Sequence, residues 1–483
     1  MSHRPSVTAP APIHASEKFA ERGTLASLGL ATALSALGAS IANVALPDLA
    51  DAFGAPFRAV QWIVIAYSLA TTVFVVGAGW LGDAFGRRRL LVAGIALFTL
   101  ASALSGLAPS LSWLLAGRAL QGMGAAVMMA LAMAMVGDVV TGGKTGSAMG
   151  FLGTMSAIGT SLGPSLGGLL LVATGWRSIF LVGVPFGLVG VFLVLRFLPA
   201  DRVGTRPEPA RPDLAGTGLL AGALSAYALA ATAGEGGFGL SNALLAFAAL
   251  IGAGLFVLQE RRSPAPLVRL DAFADPEFSS ALAANVIVFS VIVTTLVAAP
   301  FYLSISLGLS VGLVGAVMTV GPVTSAVTGV PAGKVVDWLG ARRSVVLGLA
   351  QMALGALALA LLPGWIGVAG YVAALLVLTP GYQLFQAANN TAVMAGVPAD
   401  RRGVMAGMLA LSRNLGLITG AAVMGALFAT VSGLSQGTGE PDAVAAGMRA
   451  TFLVAAALIG FALVLLILGR TCGNSKGGGS AAP

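Results

Sequence analysis

The residues of this chain that could do chemistry are charges standing where charges are scarce. The stretch from Gly79 to Gly94 reads GWLGDAFGRRRLLVAG, with Asp83 and the adjacent Arg87, Arg88 and Arg89 between two long apolar runs. It returns 254 residues later as GKVVDWLGARRSVVLG, where Gly333, Asp337, Gly340, Arg342 and Arg343 match Gly79, Asp83, Gly86, Arg88 and Arg89. Two more arginines, Arg118 and Arg413, interrupt apolar runs. The chemistry open to such groups is ionic: pairing with an opposite charge, capping a helix end or holding a charged ligand. Histidine occurs only at His3 and His14, and no apolar run carries a metal-ligand cluster or a nucleophile beside a histidine base. An enzyme is therefore not expected, and no cofactor or metal is called for.

The elements that must position these charges are set by the solvent. Hydrophobic residues make up 57% of the 483 residues and charged ones 9%, against roughly 25% charged in soluble domains. So few charges cannot cover the surface of a water-soluble protein of this length. The chain is expected to lie in a bilayer, where a helix needs about 20 mostly apolar residues to cross. Fourteen such runs are present, near 24–45, 59–80, 89–108, 113–137, 146–172, 178–198, 214–232, 240–258, 279–302, 309–332, 344–362, 366–395, 403–430 and 448–469. The 66 glycines suit this setting, because small residues let helices approach closely in lipid. A barrel would need apolar and polar residues in alternation, which is not seen.

Orientation follows from the basic residues, since cytoplasmic loops hold their excess. Of the 26, 21 fall in the tails and even-numbered loops, three outside at Arg58, Arg177 and Arg449, and two within spans. Both termini are thus expected in the cytoplasm, and the net charge of +8 reflects topology, not nucleic-acid binding. The single cysteine, Cys472, excludes an intrachain disulfide. The final GNSKGGGSAAP reads as a flexible linker.

The two charged loops follow spans 2 and 10, so spans 1–6 repeat as spans 9–14 and spans 7 and 8 are additional. A weaker echo, Gly159 and Gly163 against Gly416 and Gly420, keeps the same register. Expected units are a tail over 1–23, a six-helix bundle over 24–198, a loop over 199–212, two additional helices over 213–258, a loop over 259–277, a second bundle over 278–469 and a tail over 470–483. Parallel six-helix repeats build transporters whose halves move about a site near the midplane.

These residues carry a family resemblance. GWLGDAFGRRR, through Gly79, Leu81, Asp83, Gly86 and the arginines, resembles the loop motif of the major facilitator superfamily. GRALQGMGAA resembles its second motif through Arg118, Gln121, Gly122 and Gly124. The run from Gly150 through Gly159 to GPSLGG, with Gly163, Pro164, Gly167 and Gly168, resembles its antiporter motif. IANVALP and QWIVIAYSLA, together with the fourteen spans, resemble its drug:proton antiporter branch. The resemblance implies an all-α membrane protein with the major facilitator fold. It also implies a cytoplasmic gate at the loop motifs, export as the direction, Arg118 with Gln121 and Gly122 in proton coupling, and a cavity walled by spans 1, 4, 9 and 12.

One departure bears on the substrate. All eighteen acids fall in tails, loops or span ends, and in LGASIANVALP the family's usual acid is replaced by Gly38. A buried carboxylate is the obvious device for holding a cation and exchanging a proton. The nearest acids are Asp48, at the outer end of span 1, and Asp138. Expected cavity residues are Asn43, Gln61, Trp62, Tyr67, Met128, Met129, Met133, Asn285, Phe289, Tyr382, Gln383, Gln386, Asn389, Asn390, Arg413 and Asn414. Amides, aromatics and methionines suit neutral amphipathic or anionic molecules better than cations.

Three readings stand. One is a proton-coupled exporter of hydrophobic or amphipathic compounds by alternating access, with Asp48 or another peripheral acid as the proton site. Another is a potential-driven exporter or exchanger of organic anions using Arg118 and Arg413. The third is a non-transporting membrane sensor. The expected setting is the plasma membrane, as in a bacterial inner membrane, with a small-molecule substrate, protons and lipid as partners and a monomer as the assembly.

Overall fold

The computed structural model describes residues 15–55, 57–139, 145–201, 213–232, 239–263, 268, 270–395, 397–398, 402–433 and 440–477. Among them there is no strand. An apolar chain in lipid must satisfy its backbone polar groups internally, and a long unbroken run does so as a helix. The first half contains α1 (Ala15–Ser40), the short α2 (Leu46–Phe53), α3 (Phe57–Phe85), α4 (Arg87–Gly106), α5 (Leu111–Val139), α6 (Thr145–Thr174), α7 (Trp176–Leu181) and α8 (Gly183–Phe197). Next come α9 (Leu214–Thr232) and α10 (Leu240–Arg262). The second half contains α11 (Pro276–Phe301), α12 (Val311–Leu339), α13 (Ala341–Met394), α14 (Arg402–Thr419), α15 (Gly425–Val431) and α16 (Pro441–Gly477).

Among the described residues, 11 helices are long and apolar enough to cross a membrane, or 12 if two segments of α3 bent by 48° count as one crossing. Fourteen runs were expected. The difference lies partly in α13, a 54-residue segment that joins two of those runs across a kink. Its dihedrals leave the helical region at Ile366 and at Gly367 (φ 57°). The chain doubles back there, with Gly348 against Gly381 and Phe385, and Gly355 against Leu378. Helix α9 is also not among the 11, and helix ends differ from the expected bounds. α1 starts at Ala15, inside the expected 1–23 tail, and α16 runs to Gly477, inside the expected 470–483 tail. Hydropathy marks where lipid begins, whereas a helix continues until a breaker, and ASEKFAERG has none before Gly23. His3, His14 and most of the 199–212 loop lie outside the described residues.

The repeat seen in the sequence reappears as repeated packing. α1 packs on α5, α6 and α8, while α11 packs on α14 and α16. Gly159 lies against the Ala33 carbonyl and Gly163 against Ser40, as Gly416 lies against the Val286 carbonyl and Gly420 against Ser290. Ser40 Oγ donates to the Gly159 carbonyl at 3.4 Å, and Ser290 Oγ to the Gly416 carbonyl at 2.9 Å. Gly94 faces Gly124 as Gly348 faces Gly381. α9 and α10 pair with each other, and α9 touches both α3 and α14.

These contacts leave no room for a side chain. A Cβ at Gly124 would lie 2.7 Å from the Gly94 carbonyl oxygen, whereas one at Gly218 would meet nothing within 4 Å. Gly124→Val is expected to cost about 1–3 kcal/mol and lower the thermal midpoint of the detergent-solubilised protein. Gly218→Val is expected to leave that midpoint unchanged in the same measurement.

Candidate functional site

The two charged loops lie at one end of the molecule. Gly82 on α3 packs against Leu131 on α5, and the short link from Val139 to Thr145 starts α6 at that same end. Each loop turns on a glycine that a side chain would strain, Gly86 at φ 106° and Gly340 at φ 81°. Asp83 pairs with Arg87 one turn on, at 2.7 Å. The first N–H groups of α4, at Arg88 and Arg89, donate to Asp201 at 3.0 and 3.1 Å. Gly79 is buried and Leu81 half-buried on the last turns of α3.

Asp337 reaches across to the other half. Its carboxylate accepts from the backbone N–H groups of Gly146 at 2.8 Å and Ser147 at 3.0 Å, and from the Ser147 hydroxyl. It therefore caps α6, where unpaired N–H groups and the helix dipole favour an anion. Beside it, Gly146 and Gly150 on α6 meet Gly329 and Gly333 on α12, backbone against backbone. Farther along α12, a Cβ added at Gly321 or Gly315 would meet nothing within 4 Å. Arg342 makes an exposed pair with Glu277 at 2.9 Å, and Arg343 is exposed.

The antiporter-like glycines divide between two tasks. Gly150 belongs to the seam between halves, while Gly159, Gly163 and Gly167 let α6 press on Ala33, Ser40 and Ile41 of its own half. Gly168 stands on the same helix, and the Pro164 side chain lies outside the described residues.

Arg118 and Arg413 have opposite surroundings. Arg118 is 0% exposed. It donates to the Ile63 and Gly38 carbonyls, each at 3.0 Å, and to Gln121, whose amide goes on to Ser102 at 2.7 Å. Its guanidinium stands 4.3 Å from the Tyr67 ring centroid. Gly122 lies on the same face, so close to Tyr67 and Ala70 that a side chain would clash. Asp48 does not reach this arginine; it is exposed in the first turn of α2. The Gly38 carbonyl is one of its two backbone acceptors, and a Cβ there would lie 3.0 Å from Phe98 and the Tyr67 hydroxyl.

Arg413 lines a narrow cleft between the halves, with a cavity volume of about 20 Å³. Thr32, Met129, Met133, Met149, Leu152, Gly153 and Ser156 form the wall from the first half, and Gln386, Asn390 and Arg413 the wall from the second. Arg413 Nε is buried without a hydrogen bond, and its guanidinium lies 5.6 Å from the Phe289 ring centroid.

Five of the residues expected around a cavity therefore come together: Met129, Met133, Gln386, Asn390 and Arg413. Others turn into helix contacts. Asn285 donates to Leu409 and Ser412, Gln383 to Ser325, and Asn389 to the Ala281 carbonyl at 3.4 Å. Met128 is 0% exposed in the core, and Tyr67 donates to the Ser35 carbonyl. Phe289 and Tyr382 meet edge to face at 5.6 Å beside the cleft. Asn43 is exposed, Trp62 half-buried and Asn414 buried away from the lining, while the Gln61 side chain lies outside the described residues. The α6 wall was missed, although Met149, Leu152, Gly153 and Ser156 have the spacing of one helix face.

The sequence model of the Major Facilitator Superfamily matches residues 28–421. The chain is 34% identical over 417 residues to the multidrug resistance protein Stp of Mycobacterium tuberculosis strain CDC 1551 / Oshkosh, covering 84% of this chain and 75% of that one. It is 31% identical over 405 residues to the multidrug efflux pump LfrA of Mycolicibacterium smegmatis, covering 84% and 80%. The crystal structure of the human organic anion transporter MFSD10 superposes with a TM-score of 0.65 over 92% of this chain and 99% of that one. At 16% identity this last likeness speaks to the fold alone.

The contrast between the arginines has a measurable outcome. Arg118→Met orphans two buried carbonyls and an amide oxygen, so a loss of at least about 2 kcal/mol is expected, seen as a lower thermal midpoint in detergent. Arg413→Met removes a cation that hydrogen-bonds to no described residue, and is expected to leave the midpoint unchanged or raise it.

Proposed function

The chain belongs to the major facilitator superfamily, and we propose that it exports small hydrophobic or amphipathic compounds by alternating access, in exchange for protons. The observation that carries this reading is a cleft walled by both halves, adjoining a seam that closes one end. A site shared by two bodies changes its exposure when the bodies rock. The names of the relatives Stp and LfrA support drug-like cargo and outward direction.

Fourteen crossings belong to this reading: the 11 apolar helices, α3 as a bent crossing, α9, and a second crossing within α13. α9 and α10 are then the pair outside two six-helix bundles. Both termini and the charged-loop end face the cytoplasm, by the excess of basic residues there. The membrane is a bacterial inner membrane. Among the described residues no acid stands in the middle of a crossing, so protons bind at peripheral acids, with Asp48 at the outer mouth. Arg118, Gln121 and Gly122 hold α5 against α3 and α1 while this occurs.

The clasp suits a reversible gate. An anion at a helix N-terminus is worth about 0.3–1 kcal/mol, up to ~2 when partly buried. The glycine seam can part without disengaging side chains.

Two measurements test the reading. In liposomes, an imposed pH gradient should move an amphipathic fluorescent dye against the direction of proton flow, and a folded protein that carries no dye under any gradient defeats the proposal. Asp337→Asn should favour the state open at the cytoplasmic end by about fivefold, for ~1 kcal/mol lost. The readout is faster thiol labelling of Gly153→Cys from that side in a Cys472→Ser background.

A further inference from the structure

We propose that the cleft binds the anionic group of an amphipathic organic acid, with Arg413 as its counter-charge. This rests on the transport reading above and names its substrate class. An arginine within a membrane helix has three ordinary resolutions: helix carbonyls, a carboxylate, or reach to the water beyond the helix end. Arg118 uses the first. Arg413 uses none of them. It makes no hydrogen bond or ion pair with any described residue, and its Nε is buried without a partner. It stands eleven residues into α14, roughly 16 Å along the helix axis.

The groups beside it complete an anion site. Gln386 and Asn390 lie one turn apart on α13, 9% and 6% exposed, and neither side chain hydrogen-bonds to another described residue. Two buried amides and the half-buried Arg413, from two helices, thus line one cleft without hydrogen-bonding to one another. A planar guanidinium and two amide NH₂ groups supply donors suited to a carboxylate, phenolate or enolate. Met129, Met133 and Met149 on the opposite wall supply a polarizable surface for the apolar body of the same molecule. A cation would meet a like charge with no acid lining the cleft to offset it.

The test uses purified full-length protein and three matched probes: 1-pyrenebutyrate, its neutral amide, and 1-pyrenebutylamine. Binding is read by energy transfer from tryptophan to pyrene. Wild type should favour the acid over the amide by at least about tenfold, the size of one charge-assisted hydrogen bond, and bind the amine weakest. Arg413→Gln should bring the acid-to-amide ratio close to one, Arg413→Lys should keep part of it, and Asn390→Leu should reduce it. Equal binding of acid and amide by wild type, or preference for the amine, overturns the proposal without reference to any variant. Liposome flux separates this proposal from the transport reading. Amide carried as fast as acid sinks the anion site and leaves transport standing, whereas acid-selective binding with no flux of any probe supports the site and sinks transport.

Discussion

Hydrocarbon offers no water to a polar group, so every charge in a membrane-spanning chain must sit at an end or be answered from within. That constraint orders the whole molecule. The acids and nearly all the basic residues stay near helix ends, where Asp337 and Asp201 are met by the free N–H groups of α6 and α4. Arg118 is answered by two carbonyls, an amide and an aromatic face, and so joins α1, α3 and α5 at one point. Among the described residues Arg413 is met only by the Phe289 ring and the edge of a cleft, which is why its position motivates the proposed ligand site.

Between the charges, glycine decides how the helices meet. Lipid gives helices no hydrophobic reason to associate, so close backbone contact must supply the attraction. The two halves use the same contacts within themselves: Gly159 and Gly163 correspond to Gly416 and Gly420, and the Gly94–Gly124 pair to Gly348–Gly381. Gly146, Gly150, Gly329 and Gly333 apply the same device between the halves. The internal contacts are reinforced by serine hydroxyls, at Ser40 and Ser290, whereas the seam is reinforced at its end by the single carboxylate of Asp337. Rigid bundles and a separable seam thus arise from one residue type with different reinforcement.

How much of this could be read from the sequence depended on whether the signal was local. The repeated loops were legible because Gly86 and Gly340 occupy a backbone region that other residues avoid, and because Asp83 and Asp337 keep fixed distances from them. Helix ends were not, since hydropathy reports lipid and is silent about helix beyond it, as at Ala15–Arg22. In the cleft, Gln386 and Asn390 could be picked out as amides in an apolar run, but Gln383 and Asn389 carry the same signal and face helix partners instead. One residue turns a helix by about 100°, so composition identifies the polar helix and only packing identifies its polar face. The α6 wall escaped notice because Met149, Leu152 and Gly153 look like ordinary membrane residues.

The charge inventory also constrains how such a site is driven. With a fixed cation in the cleft and no acid lining it, the loaded cleft is neutral and the empty one positive. Arg413 stands deep in α14, where rocking about the cleft displaces it little through the membrane field. The charge that traverses the field is then the one on the substrate, and an outward-moving anion gains about 2.3 kcal/mol per 100 mV when the interior is negative. On the proposed proton-coupled reading, a peripheral acid such as Asp48, exposed in the first turn of α2, would add to this drive without a proton entering the cleft. Gly38 stands where the resemblance implies an acid; its carbonyl fixes Arg118 as a joint in the first half, while the charge at the proposed anion site stands in the second half, at Arg413.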